Sequence, residues 1–393
     1  MSNFYDRIST MEFFEDNWIN PLENKKPQDT RVLVGISGGV DSAVCALMLK
    51  QAGYNVTGAM MKIYDGEIKT IANSCYGTDK EKEIKDAKTI CKKLGIDFHL
   101  IDCSKAFDEL VFSKFKSEYK NGRTPNPCVL CNPNIKFGVF PTLAKKAGIE
   151  FDKFATGHYA RIEYDKQIGK YLLRQGINQK KDQTYFLYKL TQEKLQNILF
   201  PLGNLEKDEV RKIAKENGLI VHDKTDSQDF YKGDYAEIIN AKEIQGKIVH
   251  ISGKVLGLHN GIFNYTIGQR KGLKIAHPNP LYVIELDSKT NTVIVAEKEY
   301  TYSKRLIASD ISWTYFNKDD KKSLPPKIIQ AEAKIRSAGQ KAKCEIILDN
   351  LDTLEYAKIE FKEPQNAITP GQAIVFYNND IVLGGGTIEK TID

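Results

Sequence analysis

The chain reads Arg31-Val32-Leu33-Val34-Gly35-Ile36-Ser37-Gly38-Gly39-Val40-Asp41-Ser42 where an apolar strand passes into a loop and then into an apolar helix. The two adjacent glycines allow a tight turn, so successive backbone N–H groups and the positive end of the helix point at one anion. The hydroxyls of Ser37 and Ser42 add two further donors. The stretch therefore predicts a phosphate-binding loop.

The spacing of this loop differs from that of the common nucleotidase loop. In Gly-x-x-x-x-Gly-Lys-Ser/Thr a lysine reaches the β- and γ-phosphates, whereas no lysine follows Gly39 here. The motif Ser-Gly-Gly-Val-Asp-Ser resembles instead the pyrophosphatase loop of enzymes that split ATP between the α- and β-phosphates. That resemblance implies adenylation of a substrate with release of pyrophosphate.

Composition limits the class of protein. A chain of 393 residues suggests two or three domains, and 57 basic against 51 acidic residues leave a net charge of only +6. Any polyanion must therefore be bound by local basic patches. Because no apolar run approaches a membrane span and no leader follows Met1, we expect a cytoplasmic protein with no membrane contact. Seven cysteines then indicate reduced thiols.

The pattern of strands and helices predicts an α/β catalytic domain followed by two small β domains. Apolar strands at 56–61, 98–101 and 153–155 alternate with helical patterns, which favours a parallel sheet covered by helices. Ligands bind at the carboxyl ends of such strands. Short β runs replace this pattern after residue 240. We expect an N-terminal extension packed on the catalytic domain (1–30), the catalytic domain (31–240), a central β domain (241–303) and a C-terminal β-barrel (304–393).

A second motif is Arg123-Thr124-Pro125-Asn126-Pro127-Cys128-Val129-Leu130-Cys131-Asn132. Its prolines fix an extended loop that presents two thiols three residues apart. A structural zinc site needs four ligands, and the chain has no second Cys-x-x-Cys. The motif therefore favours a thiol nucleophile, a sulfur carrier or part of an iron–sulfur site over a zinc site.

Six motifs in sequence order resemble those of the bacterial tRNA-specific 2-thiouridylases, from about residue 31 to the end of the chain. Besides the two above they are Ala155-Thr156-Gly157-His158-Tyr159-Ala160-Arg161, Lys181-Asp182-Gln183-Thr184-Tyr185-Phe186-Leu187, Tyr265-Thr266-Ile267-Gly268-Gln269-Arg270-Lys271-Gly272 and Thr369-Pro370-Gly371-Gln372, with Ile135-Lys136-Phe137 following the cysteine motif.

The resemblance implies a pyrophosphatase-loop (adenine-nucleotide alpha hydrolase-like) fold and a transferase reaction. The enzyme would use ATP and Mg²⁺ to adenylate the C2 carbonyl oxygen of wobble uridine 34 in tRNAs for Lys, Glu and Gln. Sulfur would then displace AMP. Its partners would be tRNA and a sulfur donor, which is a cysteine desulfurase, a sulfur-relay protein or hydrosulfide.

The resemblance also implies site residues. ATP would contact Gly35, Ile36, Ser37, Gly38, Gly39, Val40, Asp41, Ser42, Met61 and Gly157. Asn126, Pro127 and Cys128 would face the target base, and Cys131 would be the nucleophile. Contacts to tRNA would come from His158, Lys181, Asp182, Gln183, Arg336, Ser337 and Gln372. By residue type, Arg123, Arg161, Arg270 and Lys271 are further phosphate candidates.

One position departs from the family. A second cysteine, the usual site of the persulfide, is replaced by Tyr231. We expect Cys45, Cys91, Cys103 and Cys344 to be buried apolar residues, whereas Cys75 lies in a loop after the second strand and, like Cys128, is a candidate to compensate. Either a persulfide is resolved as a disulfide, or Cys75, Cys128 and Cys131 hold a [4Fe–4S] cluster that binds hydrosulfide. The lost persulfide position favours the cluster.

Two other functions remain open on the sequence. One is another adenylating synthetase with a pyrophosphatase loop, which would need no paired thiols. The other is a catalytically altered paralogue that binds tRNA or a partner protein, which Tyr231 motivates. The intact cysteine loop argues against both.

Overall fold

A computed structural model describes residues 25–63, 80–221, 239, 243–316, 324–348 and 355–392. The expectations for residues 1–24, for Cys75 and for Tyr231 lie outside these ranges. The chain forms two compact units. The first comprises residues 1–108, 131–232 and 380–382, and the second comprises 109–130, 233–379 and 383–393. The expected domain boundaries at 30, 240 and 303 stay predictions.

The first unit is built on a parallel sheet. The strands of this part of the chain are β1 Arg31–Gly35, β2 Asn55–Lys62, β3 Phe98–Asp102, β4 Lys153–Ala155, β5 Ala160–Asp165, β6 Lys170–Gln175 and β7 Ile198–Leu199. The sheet has the order β3-β2-β1-β4-β7, and all neighbours are parallel. The strands β2 and β3 extend the sheet on one side of β1, and β4 and β7 then extend it on the other side. At such a switch in strand order, the carboxyl ends of the two adjacent strands, here β1 and β4, border a crevice suited to ligands. The predicted parallel sheet is confirmed.

Helices cover this sheet. They span Val40–Gln51, Lys80–Leu94, Ser104–Phe107, Asn132–Val139, Phe140–Lys146, Gln192–Gln196 and Lys207–Glu216. The helix 40–51 is almost entirely buried because its apolar residues meet the sheet on one side and the helices 80–94 and 207–216 on the others. Burial of both helix and strand fixes the loop between them, which is residues 36–39.

The second unit contains the helix Ser113–Lys120, the helix Pro127–Cys131 apart from its last residue, and two β structures. The strands β8 Gly246–His250, β9 Val255–His259, β10 Tyr282–Asp287 and β11 Thr292–Ala296 form a sheet of order β10-β11-β8-β9. Its core consists mainly of β-branched residues such as Ile248, Val283 and Val293. Such side chains pack well on a pleated surface.

The last six strands close into an antiparallel barrel. They are β12 Tyr302–Trp313, β13 Ile328–Lys334, β14 Ala342–Leu348, β15 Tyr356–Asn366, β16 Ala373–Asn378 and β17 Ile381–Thr391. The order is β12-β15-β14-β13-β16-β17, and pairing of β12 with β17 closes the ring. The predicted C-terminal barrel is confirmed. In the part of the chain described above, no helix has the length and apolar character needed to cross a bilayer.

Candidate active site

The loop after β1 is held by its own serines. The backbone N–H of Ser37 donates to Ser42 Oγ at 3.1 Å, and Ser42 Oγ in turn donates to the carbonyl oxygen of Gly39 at 3.1 Å. Gly38 has φ +73°, and a Cβ there would lie 2.8 Å from the carbonyl oxygen of Glu83. Only glycine fits both restrictions without strain. The structure therefore presents a preformed turn at the start of the helix 40–51.

Gly157 brings a second sequence motif onto this loop. A Cβ on Gly157 would lie 2.7 Å from the carbonyl carbon of Asp41 and 2.8 Å from the nitrogen of Ser42. The residue after β4 thus touches the first turn of the helix after β1. Two of the predicted ATP-site segments are in contact, at the place where the sheet topology favours ligand binding. Met61 lies near the end of the neighbouring strand β2.

The sequence did not indicate the partners of Asp41. Lys207 Nζ lies 2.7 Å from Asp41 Oδ1 and 2.9 Å from Oδ2, and the Tyr159 hydroxyl donates to Oδ1 at 2.9 Å. The Lys207 side chain is 10% exposed and that of Asp41 is 28% exposed. A cation therefore stands beside the loop, although the loop itself contains none. No local pattern could have found it, since 166 residues separate the pair.

His158 lies inside the first unit. Its Nδ1 is 2.7 Å from Thr156 Oγ1, and its ring packs 5.6 Å from the rings of Phe137 and Phe200. Burial, together with the charge of Lys136, holds the pKa of His158 well below its ordinary value. His158 is therefore neutral at physiological pH, and its proposed contact with tRNA cannot be an ionic one.

Side chains of the Lys181–Gln183 motif hold the segment that follows Gly157 through hydrogen bonds. The Asp182 carboxylate accepts hydrogen bonds from Gln175 Nε2 at 2.9 Å and from Thr184 Oγ1 at 2.9 Å. Gln183 Oε1 accepts the backbone N–H of Tyr159 at 2.9 Å. These bonds fix the strand that follows Gly157. A role of the motif in tRNA contact stays a prediction.

Cys131 stands where one helix ends and the next begins. The helix 127–131 leads into the helix Asn132–Val139, which is anchored by the ring of Phe137 against Phe154 of β4 at 5.6 Å. The Cys128 backbone N–H donates to Asn126 Oδ1 at 3.1 Å, so Asn126 stabilises the start of this helix. Both Cys128 and Cys131 are partly exposed, as a reactive thiol requires.

The second unit holds the first part of the cysteine motif. The Arg123 guanidinium binds Glu118 Oε2 at 2.6 Å and Glu389 Oε2 at 2.8 Å. The Thr124 N–H donates to the carbonyl oxygen of Pro370 at 2.9 Å. Gly371 has φ +90°, and a Cβ there would lie 2.9 Å from the Thr124 nitrogen. The motif containing Gln372 thus positions the cysteine loop.

The remaining predicted contacts differ in their exposure and in their partners. Arg336 and Ser337 are exposed in the turn between β13 and β14, and Arg270 and Lys271 are also exposed. Arg161 instead binds Asp380 Oδ2 at 2.6 Å within the first unit. Arg123 and Arg161 are therefore engaged by carboxylates, whereas Arg336 and Arg270 present their charge to solvent.

Comparisons with known proteins agree with the motifs. Three family models match consecutive parts of the chain: a tRNA methyl transferase HUP domain at 30–231, a tRNA methyl transferase PRC-barrel domain at 235–297 and an aminomethyltransferase beta-barrel domain at 303–388. The chain is 48% identical over 367 residues to tRNA-specific 2-thiouridylase MnmA of Endomicrobium trichonymphae, with 92% of this chain and 99% of that protein covered. It is 43% identical over 370 residues to the protein of the same name from Clostridioides difficile, with 92% and 99% covered.

The names of the domain models refer to methyl transfer, whereas both relatives are named for thiolation. A phosphate loop and, further along the chain, a helix that carries two thiols suit thiolation rather than methyl transfer. The identity extends over 92% of this chain and 99% of each relative, so the match is not confined to one domain. This chain belongs to the family of tRNA-specific 2-thiouridylases.

Proposed function

We propose that the protein is an ATP-dependent tRNA uridine 2-sulfurtransferase. It adenylates the C2 carbonyl oxygen of uridine 34 in tRNAs for Lys, Glu and Gln, and then replaces that oxygen with sulfur. The products are 2-thiouridine, AMP and pyrophosphate. This reaction accounts for a phosphate loop and a pair of thiols in one chain.

The observation that carries the proposal is the contact of Gly157 with the first turn of the helix 40–51. This contact joins the segments that follow the carboxyl ends of β1 and β4. The backbone N–H groups of the loop after β1 and the dipole of the helix 40–51 suit a polyphosphate. Within residues 37–42 no lysine is available to hold a leaving γ-phosphate. The loop therefore suits cleavage between the α- and β-phosphates, with Mg²⁺ carried by the phosphates themselves.

The cysteine helix supplies the second half of the reaction. A uridine must leave its stack to enter a pocket, and Asn126, Pro127 and Cys128 are the residues we assign to receive the base. Cys131 would deliver sulfur to C2, from which AMP departs with the C–O bonding electrons. Exposed cations such as Arg336 and Arg270 would bind the tRNA backbone.

The source of sulfur is part of the proposal. A cysteine desulfurase, a sulfur-relay protein or hydrosulfide can supply it. Cys128 and Cys131 are three residues apart on one helix, so their thiols project from one side and fit two ligand positions of an iron–sulfur cluster. Such a cluster would bind hydrosulfide at an open iron. Its third ligand by sequence, Cys75, lies outside the described residues.

Nucleoside analysis tests the proposal in cells. Deleting the gene should remove 2-thiouridine derivatives from tRNAs for Lys, Glu and Gln, and the wild-type gene should restore them. A Cys131→Ala gene should not restore them, whereas a Cys344→Ala gene, altered in a buried barrel residue, should. If thiolation of these tRNAs persists in the deletion strain without a second such gene, the proposal is wrong.

A further inference from the structure

We propose that His250, His277 and Glu297 form a zinc-binding site beside the sheet of strands β8 to β11, and that the bound cation fixes the loop 274–281. All three residues belong to the second unit. None of them is among the residues assigned above to ATP, to sulfur or to tRNA, so the inference goes beyond the proposed function.

Three side chains from separate segments of the sequence converge at this site. One ring nitrogen of each histidine and one carboxylate oxygen of Glu297 all lie within 4.8 Å of one another. His250 Nε2 is 3.2 Å from Glu297 Oε2. The two imidazole rings are nearly parallel, with centroids 5.6 Å apart and 20° between their planes. A hydrogen bond from one histidine to the glutamate explains the first distance, but it does not explain why a second imidazole lies there as well.

The sheet positions two of these ligands. β8 and β11 are adjacent parallel strands, in which His250 is paired with Val295. His250 is the last residue of β8, and Glu297 directly follows the last residue of β11. The N–H of Ile251 donates to the carbonyl oxygen of Val295 at 2.9 Å, so the two strands stay paired beyond His250. Backbone hydrogen bonds therefore hold His250 and Glu297 at the same end of the sheet.

The third ligand comes from a loop. His277 lies in the segment 274–281, which the structure describes without a helix or strand and which leads into β10. Leu273 and Leu281, at the two ends of this segment, are buried in the core of the sheet. A cation bound to His277 would fix the middle of the loop as well. A structural metal is one of the means by which a small domain with a small core gains stability.

The second nitrogen of each imidazole has an oxygen partner. His250 Nδ1 lies 2.8 Å from Ser252 Oγ, and His277 Nδ1 lies 3.2 Å from the carbonyl oxygen of Asn279. With hydrogen on Nδ1, each ring donates to that oxygen and keeps the lone pair of Nε2 for a cation. In the other tautomer the Nδ1 atoms accept the backbone N–H groups of Ser252 and Asn279, at 3.2 and 3.3 Å. Cation binding selects the first tautomer, which is the arrangement that metal-bound histidines usually have.

The ligand types determine the class of cation. Ca²⁺ and Mg²⁺ are bound by oxygen atoms, whereas imidazole nitrogen suits Zn²⁺ and neighbouring transition metals. A tetrahedral zinc ion with ligands at about 2.1 Å holds those ligands about 3.4 Å apart. The 3.2 Å between His250 Nε2 and Glu297 Oε2 agrees with that separation, and rotation of the His277 side chain brings in the third ligand. The side chains of His250 and Glu297 are 16% and 24% exposed, so a cation can enter from solvent and water can take the fourth position.

Zinc titration of the full-length chain, produced without a histidine tag and stripped with a chelator, tests the assignment. Because the paired cysteines can also bind zinc, every protein in this titration carries Cys128→Ser and Cys131→Ser. Competition with a chromophoric chelator should find one zinc site per chain. His277→Ala and Glu297→Gln should each weaken binding by at least about tenfold, since even outer-shell partners of a metal contribute that much. His99→Ala, a histidine of β3 in the first unit, is the matched control and should bind zinc as before.

Hydrogen–deuterium exchange then locates the bound zinc. Zn²⁺ should slow exchange in peptides that contain residues 274–281 of the wild-type chain, and it should not do so in His277→Ala. The wild-type measurement decides the question even where a variant folds poorly. Three results would each overturn the assignment: no zinc binding without the paired cysteines, equal zinc affinity in His277→Ala, or zinc binding to the wild type that leaves exchange in 274–281 unchanged.

Discussion

Lys207 Nζ stands 2.7 Å from Asp41 Oδ1, so a lysine from a distant helix neutralises the aspartate of the phosphate loop. Lys207 is the first residue of the helix 207–216, whose start is fixed by reciprocal hydrogen bonds between Glu206 and Glu209. This capping arrangement holds the lysine backbone in place. Lys207 thus fixes the Asp41 carboxylate in the first turn of the helix 40–51.

Replacing Lys207 should weaken both the fold and ATP binding. Lys207→Met leaves the partly buried Asp41 carboxylate with the Tyr159 hydroxyl but without its cation. We expect the free energy of unfolding to fall by about 2 kcal/mol and ATP affinity to fall with it. Urea denaturation and ATP titration measure the two effects. Lys215→Met, an exposed change in the same helix, is the matched control. Unchanged values for Lys207→Met would contradict the assigned role of the pair.

A methyl group on Gly157 should displace the phosphate loop. Gly157→Ala places a carbon 2.7 Å from the Asp41 carbonyl carbon, so the start of the helix 40–51 must move. ATP binding should be lost while tRNA binding persists. Gly148→Ala is the comparison. The added Cβ would have no atom within 4 Å, but the residue has φ +82°, so this substitution introduces backbone strain without a steric clash. ATP binding equal in the two variants would count against the loop contact.

The sequence predicted the regular part of this fold well. The strand 153–155 lies at its predicted bounds, because its apolar residues Phe154 and Ala155 are buried on both faces of the sheet. The hairpin of β5 and β6 was missed. Its strands carry charged or polar side chains such as Arg161, Glu163 and Arg174, which hide the alternation expected of a strand.

The sequence predicted only part of the candidate site. The phosphate loop and Gly157 belong to contiguous motifs, and the structure brings them together. Lys207 carries no local signal, since it is a lysine in an amphipathic helix. Its significance depends on the packing of that helix beside Asp41, and a single sequence does not contain that information explicitly.

The anchor of the cysteine loop should depend on pH. Burial opposes ionisation of Glu389, but hydrogen bonds from Ser309 and Arg123 outweigh it, so the pKa of Glu389 lies below its ordinary value of 4.5. The stabilisation is therefore complete above about pH 4.5 and is lost as the pH falls through the lowered pKa. Glu389→Gln should lower Tm at pH 7 and lower it less as the pH decreases below 4.5. The exposed change Glu363→Gln should show no such trend, and a constant difference for Glu389→Gln would contradict the sign.

The exposed arginine of the barrel should contribute to tRNA affinity through phosphate. Arg336→Ala should reduce the magnitude of the slope of log affinity against log salt by about one, without changing which tRNA is preferred. Filter binding at several salt concentrations measures this slope. Lys362→Ala, an exposed substitution in β15, is the comparison. A shift in tRNA preference would indicate base contact rather than phosphate contact.

The most direct test of the central claim follows ATP and uridine in the same tube. Purified protein is given tRNA for Lys, a persulfide donor, and ATP labelled at the α- or the γ-phosphate. We predict that α-label appears in AMP, that γ-label appears in pyrophosphate, and that one AMP forms for each 2-thiouridine found by nucleoside chromatography. Release of ADP and phosphate, or AMP without thiolated uridine, would contradict the account.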